Sequence, residues 1–200
     1  ALIASCAFGA ETAASGGIKT VRFGSYPQNS AKAEPIEWLV LEETEDSYFL
    51  LSRNALASLP WNTVRKATTW ENASLRAWLN GEFFNAAFTK DERTQIVETE
   101  NANADDLDYG TAAGKNTRDK VFLLSGGEVK LLLPENLRTA KATAQAKKQG
   151  AYTNASGNMA WWLRSPGMSA TSPAYLASNG DVGNRAHEMN ETIIGVRPAI

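Results

Sequence analysis

The 200-residue sequence holds one cysteine, Cys6, and one histidine, His187, and its 20 Lys and Arg nearly balance 22 Asp and Glu, for a net charge of −2. Each shortage excludes something. A lone cysteine rules out an internal disulfide framework and every thiolate-based zinc site. A lone histidine rules out a multi-histidine metal centre. A Ser-His-Asp triad would have to run through His187, in the most permissive stretch of the chain, whereas a triad base must be held and oriented. A near-neutral chain without a basic stripe carries no electrostatic footprint for nucleic acid; its longest basic run is Lys147-Lys148. No apolar run approaches the length needed to span a bilayer.

Apolar residues make up 43% of the chain, with six tryptophans and seven phenylalanines, enough to bury a real core. One large domain is the simplest organisation at this length. "LIASC" at residues 2–6 is similar to the end of a bacterial lipoprotein signal peptide, which makes Cys6 the expected lipidation site. The Gly/Ser/Ala-rich stretch after it reads as a flexible tether. Residues 1–17 are thus expected to be signal remnant and tether, and residues 18–200 a single domain.

The fold class follows from the order of periodicities. Ile18, Val21 and Phe23 begin a strand that a Gly-Ser-Tyr-Pro turn is expected to end. Residues 36–42 and 47–53 read as an antiparallel hairpin around the acidic turn at 43–46. Leu75, Trp78 and Leu79 form one helical stripe, capped by Asn72 or Ser74 and stopped at Asn80-Gly81. Thr89 with Glu92, and Ser125 with Glu128, are capping boxes that open two further helices. "KVFLLS" (120–125) is strand-like. The polar loop 99–119 carries Asp105, Asp106 and Asp108 at a spacing that does not fit the helix–loop–helix calcium motif, and it reads as a solvated loop. Strands and helices mix without βαβ alternation, so the class is α+β.

The C-terminal segment is firm at its ends and loose between them. "WWLRSPG" (161–167) and "GVRPAI" (195–200) flank some thirty small or polar residues, with a hairpin-type turn at 179–181. Arg164 and Arg197 stand at the two firm ends. A guanidinium beside packed tryptophans is expected to lie inside, holding loop carbonyls or a carboxylate.

"FGSYPQ", "EPIEWLVLE", "TWENASLRAWLNGEFFNAAF", "KVFLLS", "WWLRSPG" and "GVRPAI" together resemble bacterial domains with a C-type lectin fold of the formylglycine-generating-enzyme type. Some members are the variable proteins of diversity-generating retroelements, whose C-terminal segment is rewritten by adenine-directed mutagenic reverse transcription. The resemblance implies a variable ligand-binding region over about 161–200, with Trp161, Trp162, Arg164 and Arg197 as scaffold. The implied ligand-contacting residues are Met168, Ala170, Thr171, Ser172 and Tyr175, then Asn184, Arg185, Ala186, His187, Glu188, Met189, Asn190, Glu191 and Thr192. Met168, Glu188, Met189 and Glu191 depart from the usual scheme, because pyrimidine-ending asparagine codons cannot yield them by changing adenines. The cysteine chemistry of the family's oxidase has no residue here, since Cys6 lies in the tether.

The expected function is therefore non-enzymatic: a surface-displayed, lipid-anchored monomer that binds a protein or another cell-surface molecule. It uses no cofactor, metal or nucleic acid, and meets the outer membrane only through its anchor. Two other readings stand beside it: a non-variable adhesion or structural domain of the same fold, and an uncharacterised enzyme.

Overall fold

A computed structural model describes residues 12–15, 17–29, 31–183 and 185–200. Cys6 with its expected lipidation, residues 9–11 and 16 of the expected tether, and Asn184 lie outside the described residues, and residues 12–15, expected as tether, form a strand paired with residues 18–21. What is described is α+β, with mostly antiparallel strands and short helices.

The first sheet runs β1 (Thr12–Ser15), β2 (Ile18–Pro27), β3 (Ala33–Glu43) and β4 (Tyr48–Ser52), in that order. The expected hairpin is β3–β4, paired antiparallel from Trp38↔Ser52 to Glu43↔Tyr48. The expected turn at Gly-Ser-Tyr-Pro is instead a bulge between Arg22 and Ser25, and β2 continues to Pro27. Gly24 makes the bulge possible. Its φ is +65°, and a Cβ there would stand 2.6 Å from the Phe88 ring and 2.7 Å from the Ala87 carbonyl oxygen.

After β5 (Ala57–Ser58), α1 (Ser74–Trp78) does not stop at Asn80-Gly81. It passes through a π-helical turn, Leu79–Phe83, into α2 (Phe84–Ala87). The Asn80 amide, expected to end the helix, is used across the fold instead. Its Nδ2 donates to the Arg76 and Val121 carbonyls, and its Oδ1 accepts from the Lys120 and Val121 N–H groups. Neither Asn72 nor Ser74 caps α1. The Ser74 N–H donates to Asn62 Oδ1 at 3.0 Å, and Ser74 Oγ accepts from the Thr63 N–H. Both capping boxes are present, at Thr89 before α3 (Lys90–Gln95) and at Ser125 before α4 (Gly126–Leu132).

The polar loop 102–116 is held at its base by β6 (Thr99–Asn101) and β7 (Thr117–Asp119). Its acids brace the loop: Asp105 accepts from the Ala113 N–H, and Asp106 from the N–H groups of Asp108 and Tyr109. Residues 120–125 are not a named strand, but Phe122 bridges Ala199 through two backbone hydrogen bonds. Two short strands, β8 (Ala140–Lys141) and β9 (Asn158–Met159), pair on either side of α5 (Ala144–Lys148).

The second sheet is built by β10 (Trp161–Ser169), β11 (Ser172–Leu176), β12 (Val182–Gly183) and β13 (Gly195–Val196), with order β12-β11-β10-β13-β5. Only β10 and β13 pair parallel. The last residues then join the two sheets. Ser52 N–H donates to the Pro198 carbonyl, and Leu50 and Ile200 exchange two hydrogen bonds. Trp38, Trp70, Trp161 and Trp162 are fully buried in one core. Their indole N–H groups bond inside it, Trp161 to the Arg138 carbonyl and Trp162 to the Leu59 carbonyl. No described helix is long and apolar enough to cross a membrane.

Candidate functional site

Both ends of the C-terminal segment are buried. Trp161, Trp162 and Leu163 are wholly inaccessible, and so is nearly all of Arg164. Arg164 donates to both Glu128 carboxylate oxygens at 2.5 and 2.6 Å, to the Leu123 carbonyl at 2.8 Å, and to Asn103 Oδ1 and the Ala102 carbonyl. Glu128 is also the carboxylate that closes the capping box of α4. At the other end Arg197 donates to the carbonyls of Ser52 and Leu137. Its guanidinium lies 5.0 Å from the Trp161 ring centre, a cation–π contact.

The middle of the segment comes to the surface. Met168, Ala170, Arg185, Ala186, Asn190 and Thr192 are exposed, and Thr171, His187, Glu188 and Glu191 are half-buried. Three expected contact residues are corrected. Ser172, Tyr175 and Met189 are buried, at 3%, 8% and 1% exposure, so they cannot present side chains to a partner. Met189 belongs to the core, and its backbone is tied to Thr171 and Asn62. Ser172 lies within β11, where every residue is buried. Tyr175 packs where Gly183 leaves room for its ring, since a Cβ at Gly183 would collide with it. Burial raises the phenol's pKa, while the Ala186 N–H that it accepts pulls the other way.

Tyr175 instead forms the floor for the chain's only histidine. The His187 ring stands edge-on to Tyr175 at 4.6 Å and to Trp162 at 6.4 Å, and its Nδ1 lies 2.7 Å from Glu191 Oε2. The other Glu191 oxygen accepts from the Glu188 N–H. Two residues that sequence reasoning missed also hold this surface. Arg65 meets Glu188 with two bonds of 2.8 Å, which keeps the Glu188 carboxyl below its usual pKa. Tyr109, from the polar loop, accepts a hydrogen bond from Arg185 Nε. Nothing local in the sequence marks either one, because both pairings span more than seventy residues.

Beside this surface Lys66, Thr68, Thr69, Asn72, Ala112 and Ala170 line an open cleft of about 460 Å³. No group of three or more His, Cys, Asp or Glu among the described residues is placed to hold a metal ion. The arrangement can present polar side chains from a buried base.

Residues 45–200 match the family model described as "Domain of unknown function (DUF6273)". The chain belongs to this family. The DUF6273 match opens in the β3–β4 turn and takes in both buried arginines and the whole displayed segment. No curated protein and no solved structure matches the chain.

Proposed function

We propose that the chain is a ligand-binding protein with a C-type lectin fold of the formylglycine-generating-enzyme type, whose C-terminal segment is diversified by a retroelement. In this reading lipid on Cys6 holds it at the bacterial surface, and it binds protein or other cell-surface ligands without catalysis. One observation carries the reading. Residues 161–164 and 194–200 are buried throughout, while the chain between them leaves Arg185, Ala186, Asn190 and Thr192 exposed. A rigid base under replaceable side chains keeps a binding site preorganised as its chemistry changes.

A fixed partner is the second reading, and the Arg65–Glu188 and Arg185–Tyr109 ties support it. They join displayed residues to framework residues that diversification would not co-vary. One experiment separates the two. Arg185, Ala186, Asn190 and Thr192 are randomised together, and the library is selected against unrelated proteins. Diversified binding predicts folded binders to several targets, with stability within about 0.5 kcal/mol of the parent for each surface change. Widespread unfolding, or no binders to any target, rejects it. Sequencing the coding DNA across the source population adds the direct readout, namely a nearby near-copy differing chiefly at adenines.

A further inference from the structure

Arg197 is a buried cation without a counter-ion. It is 1% exposed, and its hydrogen bonds go to two neutral carbonyls, Ser52 at 2.8 Å and Leu137 at 3.0 Å. No described carboxylate pairs with it. Its Nη2 has no partner among the described residues, yet no fully buried side-chain nitrogen or oxygen among them lacks one. Nη2 therefore opens onto the space that Arg197 lines, a cleft of about 170 Å³ between β8–β9 and the end of β4.

The cleft's lining has one sign of charge. Arg53 and Lys141 join Arg197 there, and neither Asp nor Glu does. Arg53 is matched by Glu37 at 3.3 Å, but among the described residues Lys141 Nζ donates to the Ser156 carbonyl and to no carboxylate. That leaves two cations uncompensated. Asn54, Asn136 and Asn158 also line the cleft, and no hydrogen bond ties their side-chain amides to another described residue. Desolvation, with the Arg53 charge adding to it, lowers the Arg197 pKa to about 9. A guanidinium gives up its proton reluctantly, so a bound anion relieves the cost of burial better than deprotonation does.

We propose that this cleft binds a phosphate group, with Arg197 Nη2 at its base, Lys141 at its rim and the asparagine amides as further donors. A doubly charged phosphate matches the two uncompensated cations, and a carboxylate would leave one of them unmatched. A cleft of about 170 Å³ has room for a phosphate group. The site is separate from the displayed surface and does not rest on the function proposed for it.

The test is calorimetric titration with inorganic phosphate, supported by thermal unfolding in phosphate and in chloride at equal ionic strength. Phosphate strengthens apolar burial in any protein, so the variants decide. Lys141→Met is expected to weaken phosphate about tenfold, since it removes one of the two uncompensated cations. Asn158→Asp places a carboxylate in the lining. It is expected to raise the melting point without phosphate and to abolish the phosphate response. Methyl phosphate binding as well as inorganic phosphate assigns the site to a phosphate carried on a larger molecule; weaker binding assigns it to the free ion. No heat of binding, a phosphate response unchanged in Asn158→Asp, or acetate acting as well as phosphate would overturn the proposal.

Discussion

Arg164 and Arg197 stand near the two ends of one segment and are buried almost equally, 3% and 1% exposed. Both hold backbone carbonyls, and both lie against an aromatic ring, Phe122 for Arg164 and Trp161 for Arg197. They differ in the charged partner. Arg164 meets a carboxylate with two bonds, and Arg197 meets none among the described residues. Since Glu128 also caps α4, the pair at Arg164 fixes a strand and a helix start together. Burial alone therefore does not tell what an arginine is for. Removing one side of a matched buried pair leaves a charge stranded, whereas an unmatched cation beside an open cleft is where we propose that an anion binds.

The largest expected effect tests the matched side. Arg164→Met leaves the Glu128 carboxylate facing no cation and strands the carbonyls of Ala102 and Leu123. Breaking a buried pair from one side costs about 3–5 kcal/mol, and the lower end applies because Glu128 remains 26% exposed. Urea unfolding reads this directly. A loss below about 1 kcal/mol would show that the pair does not lock the segment.

Arg197→Met should cost less in phosphate-free buffer. It orphans two carbonyls, at about 1–2 kcal/mol, but removes a buried charge that has no partner. In phosphate the wild type gains a ligand and the variant does not, so the cost of the substitution should grow with phosphate concentration. Equal losses for the two variants in phosphate-free buffer would erase the distinction between the two arginines.

How much of this could be read beforehand depends on how far each contact reaches along the chain. The β3–β4 hairpin and the capping boxes at Thr89 and Ser125 rest on neighbours within a few residues, and the sequence pattern carries them. Asn80-Gly81 looked like a helix stop for the same local reason. The Asn80 amide binds residues 120 and 121 instead, and the helix continues. Gly24 reads locally as a turn, because the packing of Phe88 against it is not visible in its neighbours. In the displayed segment, polar composition concealed which residues face inward. Met189 is drawn into the core by backbone bonds to Thr171 and to Asn62, far upstream. The Arg197 cleft was the least legible part. Its lining comes from residues 39, 53–54, 136–137, 139, 141, 158 and 197, and no motif unites them.

A third arginine supplies the exposed case. Arg65 also meets its carboxylate with two bonds, through Nε and Nη2 where Arg164 uses Nη1 and Nη2, but the Arg65 and Glu188 side chains are 58% and 37% exposed. The Glu188 pKa is lowered from 4.5, first by the hydrogen bond from Arg65 and then by that cation's charge. A carboxyl with a lowered folded pKa contributes stability that is full above its unfolded pKa and is lost as pH falls through the folded value. The pair's contribution should therefore disappear on acidification below about pH 4.5, and Glu188→Gln should flatten that part of the stability curve. Solvent screening keeps the effect small, and high salt should shrink it further. Acid unfolding of the two proteins at low and high salt makes the measurement. An effect approaching that of Arg164→Met would mean that geometry, rather than burial, sets the worth of these pairs. A negligible one leaves Glu188 free to be replaced, as a displayed residue must be.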